Sequence, residues 1–136
     1  VSHAKEELAR PAIRFTLRLD RGLSPIRIDR LQLQQALTNI VMNAGDAVGD
    51  RGWVSVRTAQ EEKGIRVTVR DNGVGIPEEI RDKIFDPFFT TKASGKRKGM
   101  GMAISYSIIT RFGGDIRLSP EQGKGTRFDI FIPDRQ

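Results

Sequence analysis

Two segments of the chain place an apolar residue at every second position, and this alternation constrains the fold more than any other feature. The segments are IRFTLRLD (13–20) and GIRVTVR (64–70). Because successive side chains of a β-strand point to opposite faces of a sheet, each segment predicts a strand with one buried face. We predict that WVSVRT (53–58) and 64–70 form a hairpin. Two further strands are predicted at DIRLS (115–119) and TRFDIFIP (126–133).

A helical pattern separates these strands. Residues 33–48 repeat apolar side chains with a period of 3.6 residues, which predicts an amphipathic helix. Asp29 and Gln32 stand at the spacing of a capped helix start. The apolar side of this helix is formed by Leu33, Leu37, Ile40, Val41, Ala44 and Val48.

Further helical segments are predicted outside this region. Residues 4–10 form a short helix or the end of one, stopped by a proline. Another short helix, at 77–85, opens with a proline and two acidic residues, and a longer one at 101–112 ends at a pair of glycines. Helices that separate groups of strands predict an α/β sandwich, with the helices on one face of the sheet.

Composition excludes several classes of protein. The chain has 136 residues and no cysteine, so it has neither a disulfide framework nor a thiolate metal site. Its apolar stretches are far shorter than the roughly 18 residues that suggest a membrane span, and no signal-peptide pattern opens it. The 23 Lys and Arg against 17 Asp and Glu give a net charge of +6. Such a surface suits nucleic acid, acidic lipid, a phosphorylated ligand or an acidic partner, or is simply solvated.

Two asparagines lie one turn apart on the first long helix. Asn39 and Asn43 are separated by four residues, so both amides project from one face, away from most of the apolar side. Asparagine is a poor residue for a helix interior because its amide competes for backbone hydrogen bonds. An amide oxygen suits a Mg²⁺ ion that takes most of its other ligands from water and phosphate. The alternative is a pair of surface asparagines without a ligand.

The segment DNGVGIP begins where the strand 64–70 stops. Asp71 is therefore held at a strand end, and its carboxylate is an acceptor suited to a donor such as the exocyclic amine of adenine. Gly73 and Gly75 allow the backbone to approach a flat ring closely. The alternative is an Asx turn that only joins the strand to the next helix.

A cationic, glycine-rich stretch precedes the helix 101–112. Gly99 and Gly101 stand at the N-terminal end of that helix, where free N–H groups and the positive end of the helix dipole attract phosphate. Positive charge just before them comes from Lys92, Lys96, Arg97 and Lys98. The alternative is a flexible cationic surface loop.

Two familiar phosphate-binding motifs are excluded. The pattern GxxxxGK[ST] does not occur in the chain, and neither does GxGxxG. The chain is therefore neither a P-loop protein nor a dinucleotide-binding Rossmann unit.

Five motifs taken in order are similar to those of one known family. They are LQQALTNIVMNAGDA (33–47), DNGVGIP (71–77), IFDPFFTTK (84–92), GMGMAI (99–104) and GKGT-F (123–128). Their order and spacing closely resemble the ATP-binding domain of sensor histidine kinases, a branch of the GHKL group of ATPases and kinases with the Bergerat fold. The resemblance covers the chain from about residue 12 onward. It implies an α+β two-layer sandwich, in which a mixed, mostly antiparallel sheet packs on about three helices and carries an ATP lid.

The resemblance also implies roles for individual residues. Asn43 resembles the Mg²⁺-ligating asparagine of the N box, with Asn39 near the phosphates, and Asp71 resembles the aspartate that reads adenine. The implied nucleotide contacts are Asn39, Asn43, Asp71, Gly73, Gly75, Ile76, Lys92, Gly99, Met100, Gly101, Met102 and Thr126. The implied lid residues are Phe88, Phe89, Lys96, Arg97 and Lys98.

The chain departs from the family pattern in two places. GKRKGMGM stands where the family usually has GKGTGLGL, so Arg97 replaces a glycine and adds a cation that either contacts phosphate or faces water. Methionine for leucine at positions 100 and 102 is nearly neutral in volume. Hydrolytic relatives such as gyrase place a glutamate at the position of Asn39 to activate water. We therefore expect ATP to be held for transfer rather than hydrolysed.

The resemblance implies a protein histidine kinase domain that binds ATP and Mg²⁺. Its γ-phosphoryl group would pass to a histidine on a separate dimerisation domain, and a response regulator would act downstream. We expect residues 1–11 to be a remnant that leads from this missing domain, and residues 12–136 to form the catalytic domain. His3 is not expected to be the acceptor. The implied location is the cytoplasm, with no contact between this domain and nucleic acid or membrane.

Other functions stay open at this point. One is an interaction module that binds nucleotide without catalysis and docks to a partner according to its lid state. Another is a serine kinase of the anti-sigma type in the same superfamily, which the FDPFFTTK segment makes less favoured. A nucleic-acid-binding domain would fit the basic charge but lacks interleaved aromatic residues.

Overall fold

The structure is a computed structural model that describes residues 13–19, 29–49, 52–85, 100–120 and 125–134. Its elements are strand β1 (Ile13–Arg18), helix α1 (Arg30–Val48), strands β2 (Gly52–Glu61) and β3 (Gly64–Asp71), a 3-10 helix (Glu78–Lys83), helix α2 (Met100–Arg111), and strands β4 (Asp115–Pro120) and β5 (Thr126–Pro133). Every strand predicted from the sequence is present. The predicted helix at 4–10, the expected remnant at 1–11 and the implied lid residues between 88 and 98 lie outside the described residues.

The five strands form one mixed sheet in the order β1-β2-β3-β5-β4. β1 lies parallel to β2, whereas the pairs β2–β3, β3–β5 and β4–β5 are antiparallel. The predicted hairpin is confirmed, since a turn at Glu62-Lys63 joins β2 to β3 and Val56 lies opposite Val69. Parallel strands need a long crossover connection, and α1 supplies it between β1 and β2.

Both α-helices pack on one face of this sheet, which confirms the predicted two-layer sandwich. α1 contacts β2 and β3, α2 contacts β4, and the two helices pack against each other. The alternating residues Ile65, Val67 and Val69 point into the layer between sheet and helices and are buried there, as the sequence predicts. The opposite face of the sheet carries mainly polar and charged residues, together with Trp53, Ala59 and Phe131.

Helix α1 begins at a side-chain cap. The Asp29 carboxylate accepts hydrogen bonds from the N–H groups of Leu31 at 2.9 Å and Gln32 at 3.3 Å, which satisfies two donors that have no partner inside the helix. The side-chain carbonyl of Gln32 accepts a bond from Arg111 Nη1 at 2.9 Å. Gln32 therefore ties the first turn of α1 to the last turn of α2.

The two helices are also joined in the interior. The hydroxyl of Ser105 on α2 donates a hydrogen bond of 2.9 Å to the carbonyl of Ala36 on α1. Both residues are fully buried. A small residue at each position lets the helices approach closely, and the bond satisfies a hydroxyl that has no access to water.

Three details differ from the sequence prediction or refine it. The segment after Pro77 is a 3-10 helix, as shown by the bond of 3.1 Å from Ile80 N–H to the Pro77 carbonyl. Leu19 lies beyond the end of β1 and is 53% exposed, so the predicted burial along 13–20 stops at Leu17. The described ranges contain two α-helices and one 3-10 helix, and neither α-helix is long and apolar enough to cross a membrane.

Candidate functional site

A buried carboxylate lies at the carboxyl end of β3. Asp71 occupies an inward-facing position and is 2% exposed, between its Cα partners Val54 on β2 and Thr126 on β5. The structure thus brings together two residues that the sequence singles out, Asp71 and Thr126. Burial of a carboxylate is costly unless donors surround it, so its presence here indicates a hydrogen-bonding role rather than a packing role.

Asp71 also orders the turn that follows it. Its Oδ1 accepts a hydrogen bond of 2.8 Å from the backbone N–H of Gly73. The chain therefore has the Asx turn that the sequence leaves as the alternative, and it combines that turn with a buried carboxylate. Because the turn fixes one carboxylate oxygen, the side chain is held in a single orientation.

The turn packs directly on the C-terminal end of α1. The N–H of Val74 donates a hydrogen bond of 3.2 Å to the carbonyl of Ala47. A Cβ at Gly73 would lie 2.5 Å from that carbonyl oxygen and 2.8 Å from the nitrogen of Val48. The sequence predicts that the backbone at Gly73 approaches a flat ring, whereas the structure shows it packed against the backbone of helix α1.

The two asparagines approach this turn along one side of α1. Asn39, Asn43 and Ala47 recur every four residues, so they follow one line on the helix surface, and that line ends at Gly73. Both asparagine side chains are half-buried. The predicted metal-ligating residue and the predicted adenine-reading residue thus lie on adjoining elements, helix α1 and the end of strand β3.

A second backbone segment closes on the turn from the start of β5. Gly125 has a φ of +130°, and a Cβ there would lie 2.0 Å from the carbonyl oxygen of Asp71. Gly75 has a φ of +77°, which favours glycine, and its Cβ would lie 3.3 Å from the Gly125 carbonyl. Ile76 is half-buried against the core, and its carbonyl accepts a bond of 3.0 Å from Arg81 Nε.

Two residues at this site are missing from the sequence prediction. Gly125 precedes Thr126 in the GKGT segment, so the glycine motif itself is the signal for it. Asn72 lies within the DNGVGIP segment, although nothing in that segment indicates what its side chain contacts. Its Oδ1 accepts a hydrogen bond of 2.8 Å from the N–H of Trp53, which continues the pairing of β2 with β3 beyond the strand end.

The phosphate side of the predicted site is described only in part. Helix α2 begins at Met100 and continues through Gly101, close to the predicted start. Met102 is buried in the core, so its side chain supports the fold. The other predicted residues of this side, Phe88, Phe89, Lys92, Lys96, Arg97, Lys98 and Gly99, lie outside the described residues. Their roles stay predictions.

A protein-bound metal ion needs several ligands, and the described residues of this site supply few of them. Among the described residues, no group of three or more His, Asp or Glu side chains could hold a metal. Mg²⁺ commonly keeps several waters and takes phosphate oxygens, so one protein amide such as that of Asn43 is compatible with it. The described residues fit a Mg²⁺ ion that arrives with a nucleotide, and they do not form a metal site of their own.

The sequence of the chain matches a known protein family and is similar to a known histidine kinase. Residues 28–136 match the model of a family described as histidine kinase-, DNA gyrase B- and HSP90-like ATPase. The chain is 44% identical over 120 residues to the signal transduction histidine-protein kinase AtoS of Escherichia coli (strain K12). That alignment covers 88% of this chain and 19% of AtoS, so the chain spans about a fifth of the length of this relative.

Solved structures show the same fold. The catalytic domain of the histidine kinase ThkA, in a nucleotide-free form, matches with a TM-score of 0.82 and 33% identity, over 98% of this chain and 84% of that domain. ThkA in complex with the response regulator protein TrrA matches with a TM-score of 0.77 and 30% identity, over 98% of this chain and 37% of that one.

Proposed function

The chain belongs to the family of histidine kinase-, DNA gyrase B- and HSP90-like ATPases, and we propose that it is the ATP-binding catalytic domain of a sensor histidine kinase. In this role it binds Mg²⁺-ATP and transfers the γ-phosphoryl group to a histidine on a separate dimerisation domain of the same parent protein. The observation that carries the proposal is the buried Asp71 carboxylate at the end of β3, held by Gly73 and adjoined by Thr126.

Asp71 supports recognition of adenine through its chemistry. An ionised carboxylate only accepts hydrogen bonds, and adenine offers an amine where guanine offers a carbonyl oxygen. A hydrogen bond to a charged group contributes about 1.5–3 kcal/mol, and its loss in a buried site is not made good by water. The site should therefore prefer ATP over GTP.

The two asparagines on one side of α1 support a triphosphate-binding site along that helix. Asn43 would give Mg²⁺ one amide oxygen, with Asn39 one turn earlier beside the phosphates. When bound, Mg²⁺ neutralises charge on the phosphate oxygens. Backbone N–H groups at Gly99 and Gly101 and the cations of 92–98 would hold the remaining phosphate charge.

Transfer rather than hydrolysis is supported by the residue at position 39. An amide such as that of Asn39 cannot take a proton from water as a glutamate can. Phosphoryl transfer depends mainly on positioning and charge neutralisation, so a bound nucleotide needs only an acceptor placed in line. That acceptor would be the histidine of the dimerisation domain.

The partners of the domain follow from this role. The structure of ThkA with TrrA is a precedent for a histidine kinase that meets a response regulator, and we propose such a regulator downstream of this domain. The reaction would take place in the cytoplasm, where ATP is supplied. Any membrane anchor would belong to other parts of the parent protein, and the domain itself would contact neither membrane nor nucleic acid.

Calorimetric titration with ATP, with and without Mg²⁺ and with GTP as control, tests the binding step. We expect Mg²⁺-dependent binding of ATP and much weaker binding of GTP. Absence of ATP binding by the folded chain would contradict the proposal.

A second experiment tests the transfer step. The chain is incubated with γ-labelled ATP and the dimerisation domain of its parent protein, and the label on that domain is treated with acid. Phosphohistidine loses the label in acid, so an acid-labile product supports the proposed kinase. An acid-stable product would indicate a serine kinase. ATP binding without any labelled product would indicate an interaction module that is gated by nucleotide.

A further inference from the structure

The outward face of the sheet carries arginines on all five strands. In the described strands, every cation at an outward position is arginine and none is lysine. This face lies opposite α1 and α2, and it is separate from the site around Asp71, which faces inward. The arginines divide into two groups according to whether a carboxylate accompanies them.

On β3, β4 and β5, three arginines have carboxylate partners on the same face, namely Arg66, Arg117 and Arg127. The fourth, Arg70, lies over the ring of Trp53. Arg127 Nε lies 2.9 Å from Asp129 Oδ2, and Arg117 Nε lies 3.2 Å from Asp115 Oδ2. Arg66 pairs with Glu61, whose hydrogen bond raises the pKa of the guanidinium above its usual value. In this half of the face the charge is largely balanced.

On β1 and β2 the arginines have no such partners. Arg14, Arg18 and Arg57 are exposed and form no ion pair with any described residue. Arg18 and Arg57 are direct Cα partners on adjacent strands, which lie about 4.8 Å apart, so two like charges stand side by side. We call Arg14, Arg18 and Arg57 the arginine patch. Unbalanced charge at this density does not stabilise the sheet, because like charges repel.

An aromatic residue borders the arginine patch. Trp53 is the Cα partner of Arg14, and its ring already has the guanidinium of Arg70 over it at 5.4 Å from the centroid. One face of this ring is therefore already covered by a cation, which leaves less of the ring free to stack on a nucleic-acid base. The patch therefore offers charge and hydrogen-bond donors rather than stacking.

We propose that the arginine patch binds an acidic segment of a partner protein through bidentate arginine–carboxylate pairs. The guanidinium fork matches a carboxylate, and the other half of the same face already forms pairs of this kind with its own acids. Arg14 and Arg18 lie four residues apart on a strand, about 13 Å, which matches acidic residues four apart in an extended segment. The proposal does not depend on nucleotide binding, because the two sites use opposite faces of the sheet.

Two double variants with equal loss of charge test the proposal. Arg18→Gln/Arg57→Gln removes two cations from the arginine patch. Arg117→Gln/Arg127→Gln removes two cations from the balanced half of the same face. Fluorescence anisotropy of a labelled peptide of about ten glutamates reports binding at low ionic strength. We expect the patch variant to bind the peptide about tenfold more weakly than the wild type, and the control variant to bind within about twofold.

Several outcomes would overturn the proposal. Equal weakening in both variants would mean that the peptide responds only to net charge, and absence of binding to the wild type would remove the patch as an acidic-peptide site. Duplex DNA or an anionic phosphatidylserine vesicle that binds the wild type more tightly than the peptide, with loss only in the patch variant, would assign the patch to that partner instead.

Stability and ATP titrations on both variants separate folding from binding. Because the variant removes both cations of a repelling pair, the melting temperature of Arg18→Gln/Arg57→Gln should be equal to or above that of the wild type. A clear fall would assign Arg18 and Arg57 to the fold and overturn the proposal. ATP affinity should be unchanged in both variants. The arginine-patch proposal can therefore fail without any bearing on the proposed kinase function.

Discussion

Asp71 and Thr126 are direct neighbours across the β3–β5 pair, and both side chains are buried on the helix side of the sheet. The carboxylate is thus enclosed by the sheet, the end of α1 and the start of β5, and it is held on one side by the Gly73 N–H. A ligand that reaches Asp71 meets a buried carboxylate away from bulk water, where a hydrogen bond is stronger than in water.

Replacement of Asp71 by asparagine should abolish much of the ATP affinity while the fold persists. The amide oxygen of Asn can still accept the Gly73 N–H, so the turn is kept, whereas the charged acceptor for adenine is lost. We expect affinity to fall about ten- to a hundredfold, measured by calorimetry. Asp115→Asn, on the outward face, is the matched control and should bind ATP normally. Equal affinity in a folded Asp71→Asn protein would refute the adenine role.

Replacement of Asn43 by alanine should remove the Mg²⁺ dependence of ATP binding. The amide oxygen is the only protein ligand that we assign to the ion, so the remaining affinity would come from adenine and from phosphate contacts that need no metal. Titrations of ATP at several Mg²⁺ concentrations measure this effect. Gln34→Ala, an exposed change on the same helix, should keep the dependence. A normal response to Mg²⁺ in Asn43→Ala would count against the metal role.

Replacement of Gly73 by alanine should destabilise the protein and weaken ATP binding together. The new methyl group would overlap the Ala47 carbonyl and the Val48 nitrogen, both backbone atoms that cannot move without shifting α1 or the turn. We expect a loss of about 1–3 kcal/mol in the free energy of unfolding, measured by urea denaturation. The neighbouring Val74 is 73% exposed, and Val74→Ala should change stability by less than about 0.5 kcal/mol. Wild-type stability in Gly73→Ala would show that the close contact between Gly73 and the end of α1 can relax without cost.

Replacement of Ser105 by alanine should loosen the contact between the two helices. The change removes the buried hydrogen bond to the Ala36 carbonyl, whereas Ser107→Ala makes the same chemical change at an exposed position of α2. Both variants gain the same helix propensity, so the difference between their free energies of unfolding measures the buried hydrogen bond. We expect Ser105→Ala to be about 1 kcal/mol less stable than Ser107→Ala in urea denaturation. No difference between the two would mean that the bond contributes nothing.

The local elements could be predicted from the sequence because each is specified by its own residues. The alternation in 64–70 directs Ile65, Val67 and Val69 to one face whatever the strand pairs with. Asp29 caps α1 through hydrogen bonds from two residues close to it in the chain, Leu31 and Gln32. Asp71 could be found as well, because a strand pattern ends on it and glycines follow.

Contacts between distant parts of the chain could not be predicted in the same way. No pattern in β1 indicates that it pairs in parallel with β2, and none indicates that Gln32 bonds Arg111 rather than serving only the cap. The glycine at position 73 predicts a close approach to a flat ring, whereas the structure shows a close approach to helix α1. This contact between Gly73 and α1 forms only when the helix has packed on the assembled sheet.

The parallel pairing of β1 with β2 has a consequence for the order of folding. The β2–β3 hairpin closes across the two-residue turn at Glu62-Lys63, whereas β1 reaches β2 only after the chain has passed through the whole of α1. Early contacts between near residues cost less chain entropy than contacts between distant ones. We therefore expect β1 to dock after the hairpin and to open before it, so its amide hydrogens should exchange with solvent faster than those of β3. Equal exchange rates in the two strands would indicate that the sheet opens only as a whole.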